Sequence, residues 1–152
     1  MVTPELVGER YLAVQHRMFR AVNDEMSRGG LSMARTKMLR HLQEQGPTRQ
    51  NVLAAEFELS PRSITDVVDG LERLGLAERR PDPDDRRAKL VAITDAGQSA
   101  LEVANVTRER LITQIFGALT EDDQATLIRL LGRLDEAVQQ TTTQTHVLQS
   151  GV

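Results

Sequence analysis

Cysteine is absent from the 152 residues, which removes a disulfide framework, thiolate catalysis, thiol-based peroxide sensing and every Cys-containing zinc site together. Tryptophan is absent as well. One Tyr and three Phe (Tyr11, Phe19, Phe57, Phe116) are too few for the aromatic platforms on which single-stranded nucleic acid or sugars stack. The three His (His16, His41, His146) are far apart in the chain without a His-x-x-x-His pair. A metal site would need tertiary convergence, so neither a metal nor any other cofactor is expected. No stretch approaches the roughly 18 consecutive apolar residues of a membrane span, and Met-Val-Thr-Pro-Glu is not a charged segment followed by an apolar run. The expectation is a cytoplasmic chain with no membrane partner. No nucleophile with an adjacent base, Gly-rich phosphate loop or convergent carboxylate pair stands out, so an enzyme is not expected.

A surplus of basic charge is also missing: 19 Lys plus Arg stand against 22 Asp plus Glu, a net charge of -3. Taken whole, that balance disfavours a nucleic-acid partner. The distribution says otherwise. Residues 31–93 hold 11 basic against 10 acidic side chains, with pairs at Arg79-Arg80 and Arg86-Arg87, while the flanking segments hold 8 against 12. Of the 19 basic residues 17 are Arg, the side chain suited to forked phosphate contacts and groove insertion. Hydrophobic residues at 39% and charged residues at 27% are ordinary globular usage, enough for a packed core.

Apolar residues recur near 3.6 from Tyr11 to Met26 within a helical stretch from about Pro4 to Arg28, which Gly29-Gly30 ends. A second helix follows Leu31-Ser32 and stops at Gly46-Pro47. Thr48-Arg49-Gln50-Asn51 then leads into a short helix, Val52 to Phe57. Ser60-Pro61 reads as an N-cap with Pro at the first helical position, opening a helix whose Ile64, Val67, Val68, Leu71 and Leu74 share one face before Gly75. The opposite face is polar, with Arg62, Ser63, Thr65, Asp66, Asp69 and Arg73. Two short helices joined by about three residues form a helix-turn-helix pattern. Strand-like Leu76 to Arg80 and Lys89 to Ile93 enclose Pro81-Asp82-Pro83-Asp84-Asp85-Arg86-Arg87, a hairpin with a charged tip. Thr94 opens a helix to about Phe116, its first turn weakened by Gly97. A last helix starts at Thr120 with a seam of Leu127, Leu131, Leu134 and Val138. From Thr141 the polar run Thr-Thr-Thr-Gln-Thr-His has no pattern.

The run from Leu59 to Leu76, then Arg79-Arg80-Pro81-Asp82, Asp85-Arg86-Arg87-Ala88 and Ile93-Thr94-Asp95-Ala96-Gly97, resembles the MarR family of winged-helix transcriptional regulators. The expected fold is mainly α with a small β-hairpin wing. It comprises a winged helix-turn-helix DNA-binding lobe over residues 31–97, a helical dimerisation region from 1–30 and 98–140, and a flexible tail over 141–152. The resemblance implies a homodimer on double-stranded DNA with a pseudo-palindromic operator, acting as a repressor of nearby genes relieved by a small phenolic or anionic effector. A winged-helix protein-interaction module without specific DNA binding is the alternative, suggested by the acidic total charge together with Asp66, Asp69 and Gly70.

In the helix-turn-helix, Pro61, Arg62, Ser63 and Thr65 open the recognition helix, the end that enters the major groove, and Arg62 suits a guanine. Asp66 either accepts from a cytosine amino group or neutralises Arg62 or Arg73. Many members of the family carry a basic residue at the positions of Asp66 and Gly70, so these two mark a departure, and Gly70 should cost the helix about 1 kcal/mol. The Asp85-x-Arg87 pattern implies Arg87 in the minor groove and Asp85 shaping the loop by pairing with an Arg, with Arg86 and Lys89 at phosphates. Thr48, Arg49 and Gln50 are expected at the DNA backbone. For the effector, Arg17 and Arg20 would anchor a carboxylate beside Met33 and Lys37.

Overall fold

In the computed structural model the backbone is described for residues 1–149 apart from 86, and the side chains for residues 1–141 apart from 86. The elements run α1 (Pro4–Arg28), α2 (Met33–Gln45), β1 (Thr48–Arg49), α3 (Gln50–Glu56), α4 (Pro61–Arg73), β2 (Ala77–Pro81), β3 (Lys89–Ile93), α5 (Asp95–Phe116) and α6 (Glu121–Gln149). The chain is mostly helical with one small antiparallel sheet, the arrangement of a winged helix.

Helix starts follow from hydroxyl caps, which satisfy amides that have no partner within the helix. Thr3, Ser32, Ser60, Thr94 and Thr120 each accept from the amide three residues on, in turn those of Leu6, Arg35, Ser63, Gly97 and Asp123. Gly75 has φ +70° just beyond α4, a left-handed conformation that costs glycine nothing. Between α3 and α4 the same region is occupied by Glu58, at φ 51°. There the amide of Leu59 reaches back to the Ala54 carbonyl at 2.8 Å.

The chain divides into two compact units, residues 1–111 and 112–152. The first contains α1 together with the winged lobe. Its core draws one or a few residues from each of five elements: Met38, Leu39 and Leu42 on α2, Leu53 on α3, Ile64, Val68 and Leu71 on α4, Val91 on β3, and Leu101 on α5, all nearly inaccessible. Full burial of each such side chain is worth about 1.5–3 kcal/mol. Asn23 on α1 accepts from the Met33 amide at 3.1 Å, fixing the turn into α2.

The sheet has the order β1-β3-β2. Thr48 pairs with Val91 and Arg49 with Leu90, while β2 and β3 form the hairpin from Ala77↔Ile93 to Pro81↔Lys89. The hairpin was anticipated; β1 was not, since two residues carry no alternation. Gly97 is buried. A Cβ there would lie 2.0 Å from the Leu76 carbonyl oxygen and 2.8 Å from the Ile93 side chain. The glycine that looked like a weakness in α5 is what lets the helix start pack against the wing's base.

The second unit holds the last turn of α5, the turn at residues 117–120 and α6. The Gln124 side-chain amide donates to the carbonyls of Phe116 and Leu119, both at 3.1 Å, and fixes the turn. Helical backbone continues to Gln149, past the point where a patternless tail was expected. No Gly or Pro lies between residues 141 and 149, so nothing local stops the helix.

Candidate nucleic-acid interface

The recognition helix α4 presents its opening turns outward. Pro61, Arg62, Ser63 and Asp66 are exposed, and Thr65 is half-buried. The Thr65 hydroxyl donates to the Pro61 carbonyl at 2.8 Å and accepts from the Gln50 side-chain amide at 2.8 Å. With its proton already engaged, Thr65 can offer a base edge only an acceptor. Ser63 and Ser60 share a hydroxyl contact at 2.8 Å. The Arg62 guanidinium and the Asp66 carboxylate have no partner among the described residues, so the pairing of Asp66 with Arg62 or Arg73 is not formed.

Asp69 is not an uncompensated charge. It meets the Arg79 guanidinium at 2.7 Å, and Glu72 pairs with the same guanidinium and accepts from the Arg79 amide at 2.8 Å. Arg79 also donates to the Gln50 side-chain oxygen Oε1 at 3.1 Å and 3.3 Å. Arg79 therefore ties the first residue of α3, the outer side of α4 and the wing strand β2 into one network. Two carboxylates of α4 share its single positive charge, and the network joins the helix to the wing.

A second network shapes the wing. Asp82 is 5% exposed. One oxygen accepts from the Arg49 Nε at 2.6 Å, the other from the Asp84 amide at 2.9 Å. The Asp84 amide, and next the Arg49 hydrogen bond, hold the Asp82 carboxyl below the usual carboxylate range. The same contact raises Arg49. Asp85 accepts from the Arg87 amide at 2.9 Å, so among the described residues the loop carboxylate that pairs with an Arg is Asp82 rather than Asp85. The Asp-Pro-Asp sequence is an Asx-turn signature, and it was the available clue. The Arg49 partner, 33 residues earlier, gave none. Arg87 and Lys89 are exposed, with side chains free of partners among the described residues. Arg86 lies outside the described residues.

The residues ahead of α3 are thus engaged within the lobe. Thr48 donates to the Gly46 carbonyl at 2.9 Å, Arg49 holds Asp82, and Gln50 bridges Thr65 and Arg79. Of the four effector residues, Met33 and Lys37 line a cleft of about 420 Å³ with Phe19, Met26, Arg40 and Arg108. Arg17 and Arg20 do not line it. They are exposed on α1, two positions before and one after Phe19, and a helix turns roughly 100° per residue.

A helix-turn-helix with a polar outer helix and a charged hairpin wing defines a winged-helix regulator. Comparison with known proteins carries this further. The MarR family model matches residues 31–89. An uncharacterized HTH-type transcriptional regulator of Bacillus subtilis, YpoP, is 31% identical over 86% of this chain and 89% of its own. Among solved structures, the YusO protein of B. subtilis superposes with a TM-score of 0.77 at 22% identity, covering 90% of this chain and 99% of that one. A mutant of Escherichia coli MarR, complexed with operator DNA, gives 0.66 at 26% identity over 84% and 92%. The chain belongs to the MarR family, and its relatives are transcription regulators, not enzymes.

Proposed function

We propose that this chain is a homodimeric, sequence-specific repressor that reads double-stranded operator DNA through α4 and the wing. The observation that carries the reading is the pairing pattern of the cations. Arg49 and Arg79 lock the lobe internally, whereas Arg62 at the start of α4 and Arg87 and Lys89 on the wing are exposed and have no partner among the described residues, which leaves them for major-groove, minor-groove and phosphate contacts. Pro61 and Ser63 flank Arg62 at the groove end of the helix. Asp66, exposed and without a partner among the described residues, suits a cytosine amino group. The likeness to a MarR mutant complexed with operator DNA supports operator binding.

Dimerisation is supported by apolar residues that neither unit buries: Tyr11, Leu12 (61% exposed) and Phe19 (55%) on α1, and Ile128 (71%), Leu131 and Leu134 on α6. A second copy would cover such faces and place two recognition helices about one DNA turn apart. The cleft lined by Phe19, Met26, Met33, Lys37, Arg40 and Arg108 fits an aromatic acid: apolar walls for a ring, cations for a carboxylate. Arg40 is steadied by Asn105 at 2.6 Å. Such a ligand would relieve repression by favouring a lobe position poorly matched to the operator.

Fluorescence anisotropy with a duplex from the DNA upstream of the chain's own gene tests the reading. Sequence-specific binding that weakens steeply from 50 to 200 mM salt is expected. Equal binding to that duplex and to random DNA at low salt would overturn it.

A further inference from the structure

The stripe of α4 that contains Gly70 is otherwise exposed. Ser63 and Asp66 precede Gly70 by seven and four residues, Arg73 and Leu74 follow it by three and four, and all four face solvent. Gly70 alone in that stripe is buried, and the cover comes from another helix. The Arg35 guanidinium of α2 lies across it: a Cβ built on Gly70 would be 2.9 Å from Arg35 Nη2, 3.5 Å from Cζ and 3.6 Å from Nε. All three approaches to one point mean that the guanidinium lies over the glycine rather than touching it with its tip. The Arg35 backbone amide is held by the Ser32 cap, but its guanidinium has no partner among the described residues. A half-buried cation without a carboxylate, laid on the outer stripe of a recognition helix, retains all its hydrogen-bond donors for a ligand from outside.

We propose that Arg35 is a DNA-contacting residue, delivered from α2 through the notch at Gly70 to a backbone phosphate beside the middle of α4. This rests on the DNA-reading surface proposed above. It supplies, from a different helix, positive charge that α4 lacks between Arg62 and Arg73, where its own charged side chains are Asp66, Asp69 and Glu72. Gly70 is then a clearance requirement, since any side chain at that position meets the guanidinium.

The test measures binding of the full chain to the upstream duplex across a salt series. Arg35→Ala should weaken binding about five- to tenfold and reduce the slope of log affinity against log salt by about one, the signature of one lost phosphate contact. Gly70→Ala, which leaves Arg35 in place and favours the helix, should displace the guanidinium and weaken binding similarly. In the Arg35→Ala background it should add nothing, because both changes act on one contact. Arg35→Lys should keep the slope. Thermal midpoints of the variants separate lost contact from lost fold, and Gly70→Ala keeps the test open should Arg35→Ala unfold. Folded variants with the parent's affinity and slope would overturn the assignment of Arg35 while leaving the DNA reading intact. Absence of sequence-specific binding by the parent chain would instead remove the reading on which it rests.

Discussion

The winged lobe and the flanking helices α1 and α6 use similar apolar residues to opposite ends. In the lobe, short helices and three strands surround Leu39, Leu53, Ile64, Val68 and Val91 so completely that none is accessible beyond 1%. On α1 and α6, Leu12, Phe19, Ile128 and Leu134 recur at helical spacing yet remain in contact with solvent. The lobe closes on itself; the long helices carry apolar faces that one copy does not cover. Stability of the lobe and assembly of the proposed dimer should therefore be separable by mutation.

The largest effect is expected in the lobe's core. Leu39→Ala should cost about 2–5 kcal/mol of unfolding free energy by denaturant titration. Leu12→Ala, on exposed α1, should change it by no more than about 0.5 kcal/mol at concentrations where the chain is monomeric. Equal losses at the two sites would erase the distinction. Next, charges placed on α6 by Leu131→Arg with Leu134→Arg should leave the lobe folded and shift the sedimenting species to a monomer. Operator affinity should then fall at least about a hundredfold through lost bivalency. A dimer that survives this pair would place its interface elsewhere.

Arg87→Ala should weaken operator binding about tenfold without moving the thermal midpoint, since its guanidinium has no partner among the described residues. Unchanged affinity would remove the wing tip from the interface. A smaller effect of opposite sign is expected at the helix-turn-helix turn: Glu58→Gly, relieving φ 51°, should raise stability by about 0.5 kcal/mol. The last concerns acid. Asp82 is held below its unfolded value of about 3.9 by the Asp84 amide and Arg49. Its contribution to wing order is complete above that value and disappears as pH falls through the lower folded value. Amide exchange at Asp84 should accelerate only below about pH 4, and Asp82→Asn should remove that step.

Most of the fold was legible because it rests on local signals: hydroxyl caps at Ser32, Ser60 and Thr120, Pro61 at a helix start, Gly75 at a helix end, and the 3.6-residue period of Ile64 to Leu71. The exposure of Arg62, Arg87 and Lys89 follows from their places on an outer helix face and at a hairpin tip. What stayed hidden depends on residues distant in sequence. Arg79 gathers Asp69, Glu72 and Gln50, Arg49 reaches Asp82, and Arg35 crosses Gly70. Spacing alone cannot tell an Arg held internally from one turned outward. It therefore placed Thr48, Arg49 and Gln50 at the DNA backbone, although their side chains are engaged within the lobe, and Arg17 and Arg20 in a cleft that they do not line.

The most direct test of a self-contained reading head paired through its helical flanks is a hydroxyl-radical footprint of the full chain on the DNA upstream of its gene. Two protected segments related by two-fold symmetry, with centres about 10 base pairs apart and flanking minor-groove protection that Arg87→Ala removes, are expected. A single one-sided footprint, or uniform protection without sequence preference, would contradict it.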